Sequence, residues 1–318
     1  MRHELSSVLA AIRCQPWAIV PEYLEAIEAI AARALDAPVL ALLSEDGHRE
    51  RIEASMQAVA ATGTRLEGAR LSTVRGDTAV VPVIGPIFPR VTMVNASAGG
   101  TGLDAIMADL RVALASPAVE RIVMVYDTPG GVVSGLGEAA EAIRAAEKPV
   151  TAYVTGMAAS AGYWLASQAR EIVADRAGML GNIGVVASLS RQEAAGQDGR
   201  RSYEIVSSNA PNKRPDPTTE EGRAALQEHV DAIESVFMAD VARGRGVTLA
   251  TVRAEFGRGA TVAAAQAVEL GMADRIGTLE SVLKTRGQAP VRGQGRGGRA
   301  RALAVAELET RQRSAQRS

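Results

Sequence analysis

From Thr78 onward the chain alternates short apolar runs with amphipathic stretches. TAVVPVIGPI, ERIVMVYD, KPVTAYVT and REIVADR have the length and β-branched content of buried strands, and GLDAIMADLRVALA, SGLGEAAEAIRAA and SAGYWLASQA, lying between them, have helical spacing. Strands alternating with helices predict parallel strands covered by helices, an α/β fold whose ligands collect at the carboxyl ends of the strands. Beyond this block, AGMLGNIGVVAS predicts a glycine-rich turn leading into a strand. A long helix is predicted over Thr218 to Arg243, with apolar or small positions at Leu226, Val230, Ile233, Val236 and Phe237. VTLATVRAEFGRGATVAAAQAVELGMADRIGTLESVL then reads as two short helices, a turn at Gly271 and a last strand or helix.

Two flanking regions differ from this body. Residues 1–76 are expected to be a helical arm: PEYLEAIEAIAARAL starts at Pro21 and sets Leu24, Ile27, Ile30 and Leu35 near one face, and a second short helical segment surrounds Glu50 to Ala60. We find no chemistry in the arm, which reads as a cap or an oligomerisation element. Residues 286–318 are rich in Gly, Arg and Gln, with one apolar patch, ALAVAEL, and are expected to form a disordered basic tail. The organisation is thus an arm over 1–76, an α/β body over 77–285 and a tail over 286–318. The tail's composition permits contact with nucleic acid, and equally a solvating role or a tether to an anionic partner.

Composition narrows the chemistry. With 318 residues, 47% of them apolar, the chain can bury a large core. A single cysteine, Cys14, excludes an internal disulfide framework and a cysteine metal cluster, and with three histidines and no GxxxxGK[ST] motif neither a metal nor a nucleotide cofactor is expected. The opening MRHELSSVLAAIRCQPWAIV is interrupted by Arg2, Glu4 and Arg13, so neither a secretory signal nor a membrane anchor is read there, and a cytoplasmic location is expected. Eight arginines against Glu307 and Glu309 give the tail +6, which leaves −7 for the rest of a chain whose total is −1.

The candidate chemistry sits on two turns. KPVTAYVTGMAASAGYWLASQAR reads as strand, small-residue turn and helix, with Gly156 able to supply an unusual backbone angle and Ser160 opening the helix. A hydroxyl at that position faces the positive end of a helix dipole, where backbone N–H groups can stabilise developing negative charge. Ser160 is therefore a candidate nucleophile, and it is also a residue type favoured as a plain helix N-cap. Thirty residues earlier, Asp127-Thr128-Pro129-Gly130-Gly131-Val132 forms a turn whose glycines let backbone amides point outward. A hydroxyl beside free amides supplies the parts for acyl transfer through a tetrahedral oxyanion. The AGMLGNIGVVAS turn, with Asn182, Ile183 and Gly184, either lines a substrate cleft or is a structural turn.

A serine nucleophile needs a proton acceptor. His3 lies in the arm, His48 in the polar linker EDGHRE and His229 on a packing helix, none beside the two turns. The lysines are Lys148, Lys213 and Lys284. Lys148 begins its strand, at the end of the sheet away from Ser160, and Lys284 borders the tail, so elimination leaves Lys213 as the base of a serine–lysine dyad. A lysine serves this way when burial lowers its pKa from about 10.4 toward about 7 to 8.

The same residues resemble a known family. GMAASAGYW, DTPGG before it, GNIGVV after it, Lys213 and AVELGMADRIG together are similar to the signal peptide peptidase A family of serine–lysine peptidases, within the fold group of Clp protease and the crotonases, over roughly Thr78 to Leu283. The resemblance implies Ser160 as nucleophile, Lys213 as general base, and Gly130, Gly131, Val132 and the amide of Ala161 as oxyanion hole. It also implies a ring-like homo-oligomer and a preference for small or apolar residues at the cleavage site. PWAIVPEYLEAI and the basic end resemble the soluble branch of tailed phages and prophages, whose peptidases mature the head and cut scaffold protein; the location would then be host cytoplasm or prohead. Three positions depart from the family pattern: Ala161 replaces a common glycine, Asn182 stands where a serine often orients the lysine, and SNAPNKRP is an unusual approach to the base.

The leading expectation is an ATP-independent serine endopeptidase acting on scaffold or capsid protein. A crotonase-like acyl-CoA enzyme would use the same oxyanion turns with carboxylates as its acid and base. An inactive scaffold-tethering protein would use the tail as its working part.

Overall fold

The computed structural model describes residues 16–25, 27, 45–59, 62–90, 100–188 and 206–284. His3, Cys14 and the basic tail expected from residue 286 lie outside the described residues. Strand β1 is Trp17–Ile19, helix α1 Glu45–Val59, and strands β2 to β6 are Thr64–Arg65, Thr73–Arg75, Thr78–Ile84, Ile87–Phe88 and Thr101–Gly102. Helix α2 (Leu103–Ala115), β7 (Arg121–Thr128), β8 (Gly130–Val132), α3 (Leu136–Arg144), β9 (Val150–Ala159), α4 (Ala161–Ala166), β10 (Glu171–Ala174) and β11 (Met179–Gly181) follow. The remainder is α5 (Glu220–Arg245), α6 (Leu249–Glu255), β12 (Thr261–Ala263), α7 (Ala264–Glu269), β13 (Arg275–Ile276) and α8 (Leu279–Lys284).

The predicted alternation holds. In the larger sheet β4, β7 and β9 run parallel side by side, and β9 continues the parallel pairing to β10 along its first half and to β11 along its second. Strand β7 shows why its sequence is apolar throughout. Ile122, Met124 and Tyr126 enter the core beneath α2, α3 and α4, whereas Val123 and Val125 enter the opposite core with Ile52 and Met56 of α1 and Leu279, Val282 and Leu283 of α8. A strand covered on both faces has no polar side to show.

Several expectations are corrected. The arm is not wholly helical, because β1, β2 and β3 fall within residues 1–76. Trp17-Ala18-Ile19 alternates too briefly to signal a strand and is extended only because it pairs antiparallel with β8. His48 belongs to α1 rather than to a linker, and that helix begins at Glu45. The AGMLGNIGVVAS segment has its strand, β11, before the turn; after it Val186 forms only a bridge to Trp17. Gly156 is not the serine turn but a break inside β9, where the register with β7 shifts between Tyr126 and Thr128.

The long helix starts at Glu220, capped by Thr219, whose hydroxyl accepts from the Gly222 N–H at 3.0 Å. Its second half is seated by Phe237, Val241 and Ala242, while Leu226, Val230 and Ile233 are only half-buried and Val236 and His229 are exposed. Another anchor carries no sequence signal. The buried Asp109 of α2 accepts the Arg70, Leu71 and Ser72 N–H groups at 2.6, 2.8 and 2.8 Å and the Ser72 hydroxyl at 2.8 Å, which pins the loop into β3. Among the described residues no helix is long and apolar enough to cross a membrane.

Candidate active site

Ser160 occupies the sharp corner between β9 and α4, at φ 53° and ψ −117°. A side chain is strained there by about 1–3 kcal/mol, a cost tolerated only where surrounding contacts fix the conformation. Those contacts are present. The Ser160 N–H donates to Gly181 O at 2.7 Å and its carbonyl accepts from the Trp164 N–H at 2.9 Å. The plain N-cap role fails, because the Ser160 side chain makes no capping hydrogen bond. Its hydroxyl donates to Gly184 O at 3.5 Å, a long contact for O–H···O. A strained strand-to-helix turn that pushes a serine hydroxyl out of the local hydrogen-bond pattern is the geometry of an elbow-borne nucleophile.

The double-glycine segment meets this corner. A Cβ built on Gly130, at φ 109°, would come within 2.9 Å of Ser160 Cβ, so any residue but glycine would intrude on the serine. Gly130 to Val132 are not a free turn, however. They form β8, pairing antiparallel with β1 and, at Gly131, parallel with β5. The Gly130 N–H is oriented toward Thr128 Oγ1 at 3.2 Å. Buried Thr128 also packs its methyl where a side chain on Gly162 would go, fixing α4 against the end of β7. Ala161 is the first residue of α4 and fully buried.

The other predicted residues divide. Gly184 reaches the site through its carbonyl, and buried Ile183 underlies it. Asn182 takes a left-handed backbone at φ 53° and donates its side-chain amide to Gly259 O at 2.8 Å, not to a lysine. Lys213 ends a 3-10 turn, Pro211–Lys213, and is exposed; no hydrogen bond or ion pair joins its side chain to Ser160 within the single chain. Residues 189–205, which connect the GNIGVV turn to it, lie outside the described residues. Of the other lysines, Lys148 donates to Ala113 O and Ser116 O at 2.9 and 2.7 Å, closing the carboxyl end of α2, and Lys284 pairs with Glu280 at 3.2 Å.

Three further features were missed. Asp127 accepts the Met157 N–H at 3.1 Å, and its carboxylate fills the space a side chain on Gly156 would need, so the two strand ends are locked beside the serine corner. Desolvation against those strands raises the Asp127 carboxyl above the ordinary aspartate range, although the residue keeps an exposed edge. Glu234 of α5 stands 3.7 Å from where a Cβ on Gly184 would lie, and desolvation, then the nearby Asp231 charge, raises its carboxyl. Behind the corner, Trp164 stacks on Phe237 at 4.5 Å between centroids and donates its indole N–H to Asp240 Oδ2 at 2.8 Å, while Asp240 pairs with Arg243. The signal for this support was present in the apolar second half of the long helix.

Comparison with known proteins now adds to the geometry. Residues 142–289 match the model of peptidase family S49, a span that includes Ser160 and Lys213, and residues 90–176 match that of Clp protease. Over residues 142–289 the chain is therefore similar to peptidase family S49. The chain is 30% identical over 213 residues to Capsid assembly protease C of Escherichia phage lambda, a match covering 65% of this chain and 48% of that protein. It is 27% identical over 286 residues to Head-tail preconnector protein GP5 of Enterobacteria phage P21, covering 87% of this chain and 56% of that protein. With Protease 4 of Salmonella typhi it shares 37% identity over 98 residues, 30% of this chain and 16% of that one. The chain spans about half the length of the two phage relatives it matches.

Proposed function

We propose that the protein is an ATP-independent serine endopeptidase that processes scaffold or capsid protein during phage head maturation, in the host cytoplasm or the prohead. The observation that carries this reading is the strained Ser160 corner set against Gly130. Support for the setting comes from relatives named as a capsid assembly protease and a head-tail preconnector protein.

In the proposed reaction, Ser160 Oγ attacks the carbonyl carbon of a bound peptide as its proton passes to the neutral amine of Lys213. The carbonyl oxygen becomes an oxyanion, stabilised by amides of Gly130 to Val132 and Ala161. Collapse breaks the C–N bond, the amine product leaves with the proton from Lys213, and an acyl ester remains on Ser160. Water, deprotonated by the same amine, then hydrolyses the ester. Lys213 lies in solvent in the single chain, so the dyad requires the amine and the hydroxyl to meet in a ring-like homo-oligomer, where burial favours an uncharged lysine.

The experiment is cleavage of fluorescein-labelled casein by the purified oligomer. Ser160→Ala and Lys213→Ala should each abolish turnover with the oligomer intact. Full activity in Lys213→Ala rejects the dyad.

A further inference from the structure

The nucleophile proposed above is fully buried, and the glycine that abuts it, Gly130, is packed on its other contacts by the protein's own β1. A Cβ built on Gly130 would touch not only Ser160 Cβ but also Ala18 O, and would come within 2.9 Å of Ile19 Cα, so residues 18 and 19 and the serine corner pack around the same glycine. The segment is held by main-chain bonds on both edges. On one side Trp17, Ala18 and Ile19 are in register with Val132, Gly131 and Gly130, and the Val20 N–H donates to Pro129 O at 2.9 Å. On the other, Trp17 and Val186 exchange N–H···O bonds of 2.8 Å in each direction.

This is how an extended peptide binds between two strand edges, where the backbone supplies affinity and pockets for alternate side chains supply selection. Trp17 is the anchor. It packs edge-on against Phe88 at 5.9 Å between centroids, in a small cluster with Leu24, Ile27 and Val132 that stands apart from the main cores. The small Ala18 follows it, in register with Gly131. The paired stretch is three residues long, and the chain leaves it at Val20 into the helical residues 21–25; Trp17 and Ile19 sit in the separate cluster, while Ala18 reaches the main core.

We propose that Pro16–Val20 is a cis-acting occupant of the peptide groove: it fills the slot between Gly130–Val132 and Val186, keeps Ser160 covered, and is displaced when an extended polypeptide with an aromatic residue followed by a small one takes its place. The proposal rests on the reading of Ser160 as nucleophile for its inhibitory part, but the occupancy itself does not.

The test uses the full chain, a fluorescein-labelled peptide of the sequence PWAIVPE and fluorescein-casein. Trp17→Ala removes the anchor and should bind the peptide at least tenfold more tightly than wild type and cleave casein at least fivefold faster. If circular dichroism shows that Trp17→Ala does not fold, Ile19→Ala, which keeps the anchor, should shift both readouts in the same direction by a smaller factor. Equal peptide binding by folded wild type and folded variant overturns the occupancy. Tighter binding with unchanged or slower casein cleavage overturns the inhibitory role and makes β1 a fixed wall of the site. The double variant Ser160→Ala, Trp17→Ala separates the two readings: it should keep the gain in peptide binding and lose cleavage. Persistent cleavage there rejects Ser160 without touching the occupancy.

Discussion

Gly130 lies so close to Ser160 that a methyl group on it would sit 2.9 Å from the serine Cβ. The pair ties the start of β8 to the corner after β9, two points thirty residues apart in the chain, and leaves no room for a side chain on residue 130. Gly130→Ala combines this overlap with a positive φ. It should lower stability by about 1–3 kcal/mol and activity by about 100-fold or more, measured by thermal unfolding and casein turnover.

The strain at Ser160 gives a separable prediction. Ser160→Gly relieves about 1–3 kcal/mol of backbone strain against about 0.4–1 kcal/mol of added freedom in the unfolded chain, so it should raise the Tm by a few degrees while abolishing turnover. Ser160→Ala keeps the strained angles and should give no such gain. Equal melting temperatures for the two variants would remove the argument from strain.

Asp109 anchors the loop at residues 70–72 through four donors. Asp109→Ala leaves them without their acceptor and should cost about 3 kcal/mol or more, read by chemical denaturation, since buried donors lose both partner and water. The Ser160 corner lies elsewhere on the sheet, and turnover per folded molecule should remain within twofold of wild type.

How far the sequence disclosed this architecture depended on whether a signal was local. The strands from Thr78 to Ala174 and the helices between them follow from apolar periodicity, whereas the unusual backbone, read at Gly156, falls on Ser160 itself. β1 escaped notice because three residues cannot show a period and its partner is more than a hundred positions away. Asp109 and Asp127 look like ordinary surface carboxylates until the fold brings backbone N–H groups to them. Lys213 was reached by eliminating the other lysines, but the single chain does not bring its amine to the serine.

Helix α8, the last of the described residues, is fastened to the sheet by an ion-pair cluster with a defined pH response. Arg75 donates to both Glu280 oxygens, at 2.7 and 2.8 Å, and this bond first, with that to Lys284 next, pulls the Glu280 carboxyl down to about 2. A carboxylate whose pKa is lowered on folding contributes stability above its unfolded pKa and loses it as the pH falls toward the folded value. Stability should therefore decline as the pH falls below the usual glutamate range toward about 2, and part of that decline should vanish in Glu280→Gln. Denaturation midpoints of the two proteins across that window check it, and parallel curves would contradict it.

The most direct measurement is the site of covalent modification when the assembled protein is treated with a fluorophosphonate and mapped by peptide mass spectrometry, alongside casein turnover. The expected result is a single adduct on Ser160, loss of turnover in proportion to labelling, and strongly slowed labelling in Lys213→Ala. An oligomer that cleaves casein while Ser160 stays unmodified, or that is inactivated through another residue, would contradict the assignment of the serine at this corner as nucleophile.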